Sequence, residues 1–67
     1  MLLYQERVVT ERNELTDKIV KLTAFRITTM YETLPEAERV RLSRQLDFME
    51  AYQGVLDARI VAFKGGV

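Results

Sequence analysis

The sequence carries apolar residues on two opposite sides of each of two long helical segments, and this most constrains the fold. At the helical repeat, Tyr4, Val8, Leu15, Ile19 and Leu22 form one seam on the first segment, with Phe25 at its edge. Val9, Thr16, Val20 and Ile27 form a thinner stripe on the other side. On the second segment Leu42, Leu46, Met49, Gln53, Leu56, Ile60 and Phe63 follow a heptad pattern. Val40, Phe48, Ala51, Tyr52, Val55, Ala58 and Ala62 lie opposite them. A pair of helices buries one stripe each, so the second stripes need another copy, another partner or a ligand. Gln53 interrupts the heptad seam, where a buried polar residue fixes register or oligomer state.

The segment ends are marked. Thr28, Thr29 and Thr33 disfavour an unbroken helix, and the only Pro, Pro35, opens the second segment. Thr33-Leu34-Pro35-Glu36 has the form of a capping box. Glu36 and Glu38 suit the positive end of the helix dipole, and Lys64 the negative end, with Gly65 as the stop. The expected fold is all-α: a single helical domain over residues 1–67, built as an antiparallel two-helix hairpin with a short N-terminal or connecting helical turn, which assembles into a homo-oligomeric bundle. The first helix is expected over 4–26, a connection over 27–34, a second helix over 35–63 and a tail over 64–67. Met30–Thr33 is expected to form a short helical turn within the connection.

Size and charge narrow the function. At 67 residues, 48% of them apolar, the chain is one small domain whose own core is marginal, so self-association is the natural outlet for spare apolar surface. Ten basic and ten acidic residues give a net charge of zero, which argues against a binder of DNA or RNA polymer. The sequence lacks Cys, His and Trp, which excludes Cys/His metal sites, Cys or His nucleophiles and disulfides. No carboxylate pair in an apolar setting and no Gly-rich phosphate loop is present, so no catalytic constellation and no cofactor is expected. No apolar run is long enough for a signal peptide or a membrane span, and the chain is read as cytosolic.

A few polar residues interrupt these patterns. Lys18 and Glu11 lie beside the first seam, with Arg7 on the same edge. They read as a solvated flank with Arg7–Glu11 and Glu14–Lys18 neighbours, or as cations offered to an anionic ligand at a protomer interface. Tyr4 reads either as an aromatic that closes the core or as a platform for a stacked base. On the second segment Arg59 and Tyr52 share the back stripe, in line with Arg41 and Phe48. Arg59 reads as an ion-pair partner for a neighbouring protomer or as a phosphate ligand.

Two blocks of sequence resemble a known family. The first is Arg7-Val8-Val9, Glu11, Glu14-Leu15, Lys18, Lys21-Leu22 and Ala24-Phe25. The second is Leu34-Pro35-Glu36-Ala37-Glu38-Arg39, Leu42, Gln45-Leu46, Met49, Tyr52, Val55-Leu56, Arg59-Ile60 and Ala62-Phe63. Their order and spacing, over nearly the whole chain, are similar to the small phage anti-CBASS proteins that act as cyclic-oligonucleotide sponges. That resemblance implies helical homo-hexamers with a short N-terminal helix and two longer antiparallel helices. It implies sequestration, without hydrolysis, of the second messengers of bacterial CBASS defence in the cytoplasm of the infected host. Cyclic dinucleotides such as 3′,3′-cGAMP would sit between pairs of protomers, and cyclic trinucleotides such as cyclic tri-adenylate where three protomers meet. Carried onto this sequence, Tyr4 (or Leu3, one residue away) takes the base-stacking position and Lys18 the phosphate position, with Arg7 beside them. Arg59 takes the trinucleotide position, with Thr16 and Val20 from the back stripe. The alternative is a structural or adaptor helical oligomer with no nucleotide ligand.

Overall fold

A computed structural model describes residues 1–65, and these are helical with no strand among them. Of the expected tail, residues 66 and 67 lie outside the described residues. Helix α1 spans Leu3–Phe25, α2 spans Thr29–Thr33 and α3 spans Glu36–Phe63. Both long helices begin and end within one residue of the sequence expectation. The short helix connects the two long ones rather than preceding them.

The local chemistry accounts for these bounds. Leu2 N–H donates to Gln5 Oε1 at 3.0 Å and so caps the start of α1. After Phe25 the chain tightens: Ile27 N–H donates to Ala24 O and Thr28 N–H to Phe25 O. Thr28 caps α2, its hydroxyl oxygen accepting from Tyr31 N–H at 3.3 Å while its proton goes to Phe25 O at 2.7 Å. The expected capping box at Thr33 does not form. Thr33 Oγ1 instead donates to Met30 O at 2.6 Å, inside α2. The N-cap of α3 is Pro35, with no side-chain bond, and its carbonyl accepts from Glu38 and Arg39 N–H. Thr33 therefore belongs to the helix before the break, where bonding back to its own turn competes with capping the next. At the far end Gly65 takes φ +85, the left-handed conformation that suits glycine after a helix.

The start of α1 lies against the end of α3, so the two long helices run in opposite directions. Tyr4 meets Phe63 edge-to-face at 5.6 Å, and Arg12 Nε donates to Asp57 Oδ1 at 2.7 Å. The body measures 46 × 16 × 15 Å. Its length is close to that of α3 alone, about 42 Å at 1.5 Å rise per residue.

The buried residues are Val8, Leu46 and Leu56, all on the two seams. Leu15, Ile19, Leu22, Leu42, Met49, Gln53, Ile60 and Phe63 flank them half-buried. The back stripes stay largely outside: Val20 is 60% exposed, Ile27 88%, Phe48 66% and Val55 56%, while Val9 and Thr16 are half-buried. Near the connection Phe25 and Tyr31 pack edge-to-face at 5.8 Å, and the Tyr31 hydroxyl donates to Arg39 O at 3.1 Å. That contact fastens α2 to both long helices. No helix among the described residues is long and apolar enough to cross a membrane.

Candidate functional site

An open groove of about 540 Å³ lies between α1 and α3. Leu15, Leu22, Phe25 and Met49 line its apolar part, and Lys18, Lys21 and Gln45 add polar groups. The amide of Gln45 donates to Met49 Sδ at 3.8 Å, which ties two lining residues on one face of α3. Lys18 and Lys21 stand one turn apart on α1, both exposed. The ion pairs among the described residues are Arg12–Asp57 and Arg41–Glu38, so neither lysine is neutralised by a carboxylate there. Two free ammonium groups beside apolar and aromatic side chains suit a ligand with both anionic and flat apolar parts.

The flank pairs expected from sequence are not made. Arg7 and Lys18 have no carboxylate partner among the described residues. Glu11 instead accepts a hydrogen bond from the Tyr52 hydroxyl of α3. That bond raises the Tyr52 phenol above its ordinary value. Burial and the Glu11 charge push the same way, and the positive charge of Arg59 opposes them.

The other expected site residues are scattered along the body. Tyr4 is in the first turn of α1, 53% exposed, with its ring edge-to-face with Phe63. It thus closes one end of the seam while leaving much of itself open. Leu3, the other candidate for the stacking position, is 63% exposed as the first residue of α1. The helical rise of about 1.5 Å per residue puts Lys18 about 21 Å along α1 from Tyr4. No single protomer brings those two side chains to one small ligand. Thr16 is half-buried and donates its hydroxyl proton to Arg12 O at 2.9 Å, along its own helix. Val20 and Arg59 are exposed. Asp57 of α3 pairs with Arg12, so Arg59 lies near the early turns of α1, well along the axis from Val20.

Two features escaped the sequence reading. Arg12 sits in the gap that the first seam leaves between Val8 and Leu15, and it reaches across to Asp57, the neighbour of buried Leu56. The break in the apolar spacing was the available signal. Tyr31 was the other: an aromatic in a connection is expected to pack on something. Among the described residues no group of three or more His, Cys, Asp or Glu is placed to hold a metal ion.

Comparison with curated proteins and with solved structures gave no match. The model of one family, described as Sequestin, matches residues 2–62, which takes in α1, α2 and all but the last residue of α3. The chain belongs to the Sequestin family, whose name denotes sequestration of a ligand, and this membership agrees with the resemblance of its two sequence blocks to the phage anti-CBASS sponges.

Proposed function

We propose that the protein binds cyclic oligonucleotide second messengers and holds them intact, so that phage evade CBASS immunity in the cytoplasm of the infected bacterium. The observation that carries this reading is the groove beside Lys18 and Lys21, with unpaired cations next to apolar and aromatic side chains. Phosphates and bases are the matching ligand parts. Membership in a family named for sequestration supports binding over catalysis.

The spacing of Tyr4 and Lys18 argues for a site shared by two protomers. Two α1 helices laid antiparallel about a two-fold axis near Glu11, midway between Tyr4 and Lys18, put each Tyr4 beside the partner's Lys18. Arg7 then falls within a turn of that meeting point. A cyclic dinucleotide such as 3′,3′-cGAMP has two phosphates and near two-fold symmetry, so each half meets one Tyr4–Lys18 pair. A cyclic trinucleotide such as cyclic tri-adenylate meets three copies of Arg59 about a three-fold axis, with Thr16 and Val20 reaching the same pocket from neighbouring copies. A closed assembly with both axes has six copies at least, which makes the hexamer the simplest oligomer that holds both ligands. The exposed back stripes supply the apolar surface for such contacts.

Calorimetric titration with 3′,3′-cGAMP tests the reading, followed by denaturation and chromatography of the released nucleotide. The expected result is tight binding and an unaltered ligand. Lys18→Ala is expected to weaken dinucleotide binding about tenfold or more, the scale of one lost charge-assisted hydrogen bond. Absence of heat with both 3′,3′-cGAMP and cyclic tri-adenylate would leave the structural or adaptor oligomer, which the exposed Phe48 and Val55 also fit. A cleaved product would make the protein an enzyme.

A further inference from the structure

A second groove, about 320 Å³, lies where α2 meets the start of α3 and shares no lining residue with the first. Tyr31, Glu36, Arg39, Val40, Ser43 and Arg44 line it. Arg39 Nε is buried without a hydrogen-bond partner, the one such side-chain atom among the described residues. A buried donor left unsatisfied in a charged group is costly and calls for an explanation. The neighbouring carboxylates do not supply one. Glu38 is taken by Arg41, and Arg26, Arg39 and Arg44 form no ion pair among the described residues. Glu36 is the one carboxylate on the lining.

Tyr31 reports the local field. Its phenol is held below its ordinary value, first by the Ser43 hydroxyl 3.3 Å away and then by the guanidinium groups of Arg26 and Arg39, with burial opposing. Two arginines and one carboxylate on the lining, with Arg26 close enough to lower the Tyr31 phenol, leave a local positive excess in a chain of zero net charge.

We propose that this second groove is an oxyanion site that takes a phosphoryl group between Arg39 and Arg44, with Arg26 adding positive charge beside Tyr31. Guanidinium forks match the tetrahedral oxygens of a phosphoryl group, and Arg39 and Arg44 bring two guanidinium groups to one lining. The site does not rest on the cyclic-nucleotide reading, because it uses none of the residues assigned there. The phosphoryl group belongs either to free phosphate or to a nucleotide, whose remaining atoms would extend along Val40.

Titration with inorganic phosphate and with AMP, at ionic strength fixed with chloride, tests the site by NMR of the Tyr31 ring and by thermal unfolding. Both are expected to raise the melting temperature and to move the Tyr31 titration upward, since a bound anion offsets the flanking positive charge. Arg44→Gln and Arg26→Gln, at exposed positions, are each expected to weaken binding about tenfold. Lys64→Gln, a charge removed elsewhere, is expected to leave it unchanged. Tighter binding of AMP than of phosphate assigns the site to a nucleotide, and equal binding to the free anion. Arg39→Gln is informative only if folded, and the two exposed variants decide the matter without it. The proposal is overturned if neither probe exceeds chloride, if Lys64→Gln weakens binding as much as the arginine variants, or if the Tyr31 titration stays fixed.

Discussion

The two apolar stripes of each helix obey the same periodicity and meet opposite fates. On the inner seam Val8, Leu46 and Leu56 are buried, Leu56 completely. On the outer stripe Phe48, Val55 and Val20 stay more than half exposed. Both stripes were selected by spacing alone, and spacing does not say which of them one chain will cover. The number of helices decides that. Two helices have one shared interface, and a chain of this size has no third long element to lay over the other side. The inner seam is thus the fold, and the outer stripe is surface offered to something else.

Two substitutions separate those roles. Leu56→Ala empties a fully buried site and is expected to cost about 2–5 kcal/mol. A chain of this length has a total stability of about 3–10 kcal/mol, so the variant is expected to be largely unfolded in mild urea when followed by circular dichroism. A loss below about 1 kcal/mol would break the contrast, because the seam would then not be what holds the helices. Phe48→Glu, on the outer stripe, is expected to leave the helices formed and the single chain's stability within about 0.5 kcal/mol. Its effect falls on association. Each buried Phe contributes about 1.5–3 kcal/mol, so where a second copy covers this stripe an added charge is expected to return the protein to single chains in sedimentation velocity. A wild-type chain that already sediments as a monomer would assign the stripe to a different partner.

How far the sequence could be read follows the same division. Helix bounds, the buried seam and the Gly65 stop were legible because each is set by neighbours in sequence or by one repeating angle. Thr33 was misread because its hydroxyl had two local partners, and the one inside α2 won. The pairing of Arg12 with Asp57, and of Tyr52 with Glu11, depends on the rotation of one helix against the other, which spacing within either helix does not fix. The candidate site is the least legible part. Lys18 lines a groove, and Tyr4 is about 21 Å away along the same helix. The proposed dinucleotide site therefore depends on symmetry between chains, which the order of residues within one chain does not encode.

The smallest effect tests the outer stripe from inside the molecule. Tyr52 lies on that stripe and its phenol is raised, chiefly by its bond to Glu11, whereas Tyr31 near the connection is lowered, chiefly by Ser43. An alkaline titration followed by tyrosinate absorbance is expected to show Tyr31 ionising before Tyr52. The consequences for stability have opposite signs. A raised value means that the native state favours the neutral phenol. Tyr52 therefore stabilises the fold below its ordinary value, and the contribution is lost as pH rises through the raised one. Tyr31 contributes above its ordinary value and loses that contribution as pH falls through the lowered one. Glu11→Gln is expected to bring the Tyr52 step down toward the ordinary value and to leave the Tyr31 step in place. A Tyr52 step that does not move would show that Glu11 does not set it. Concentration then adds what a single chain cannot report. If a second copy covers the outer stripe, it removes water from Tyr52 and pushes that phenol further up, so the late step shifts upward as the protein is concentrated. A late step that stays put on concentration, with Phe48→Glu also without effect on it, would mean that whatever covers Phe48 leaves Tyr52 in water.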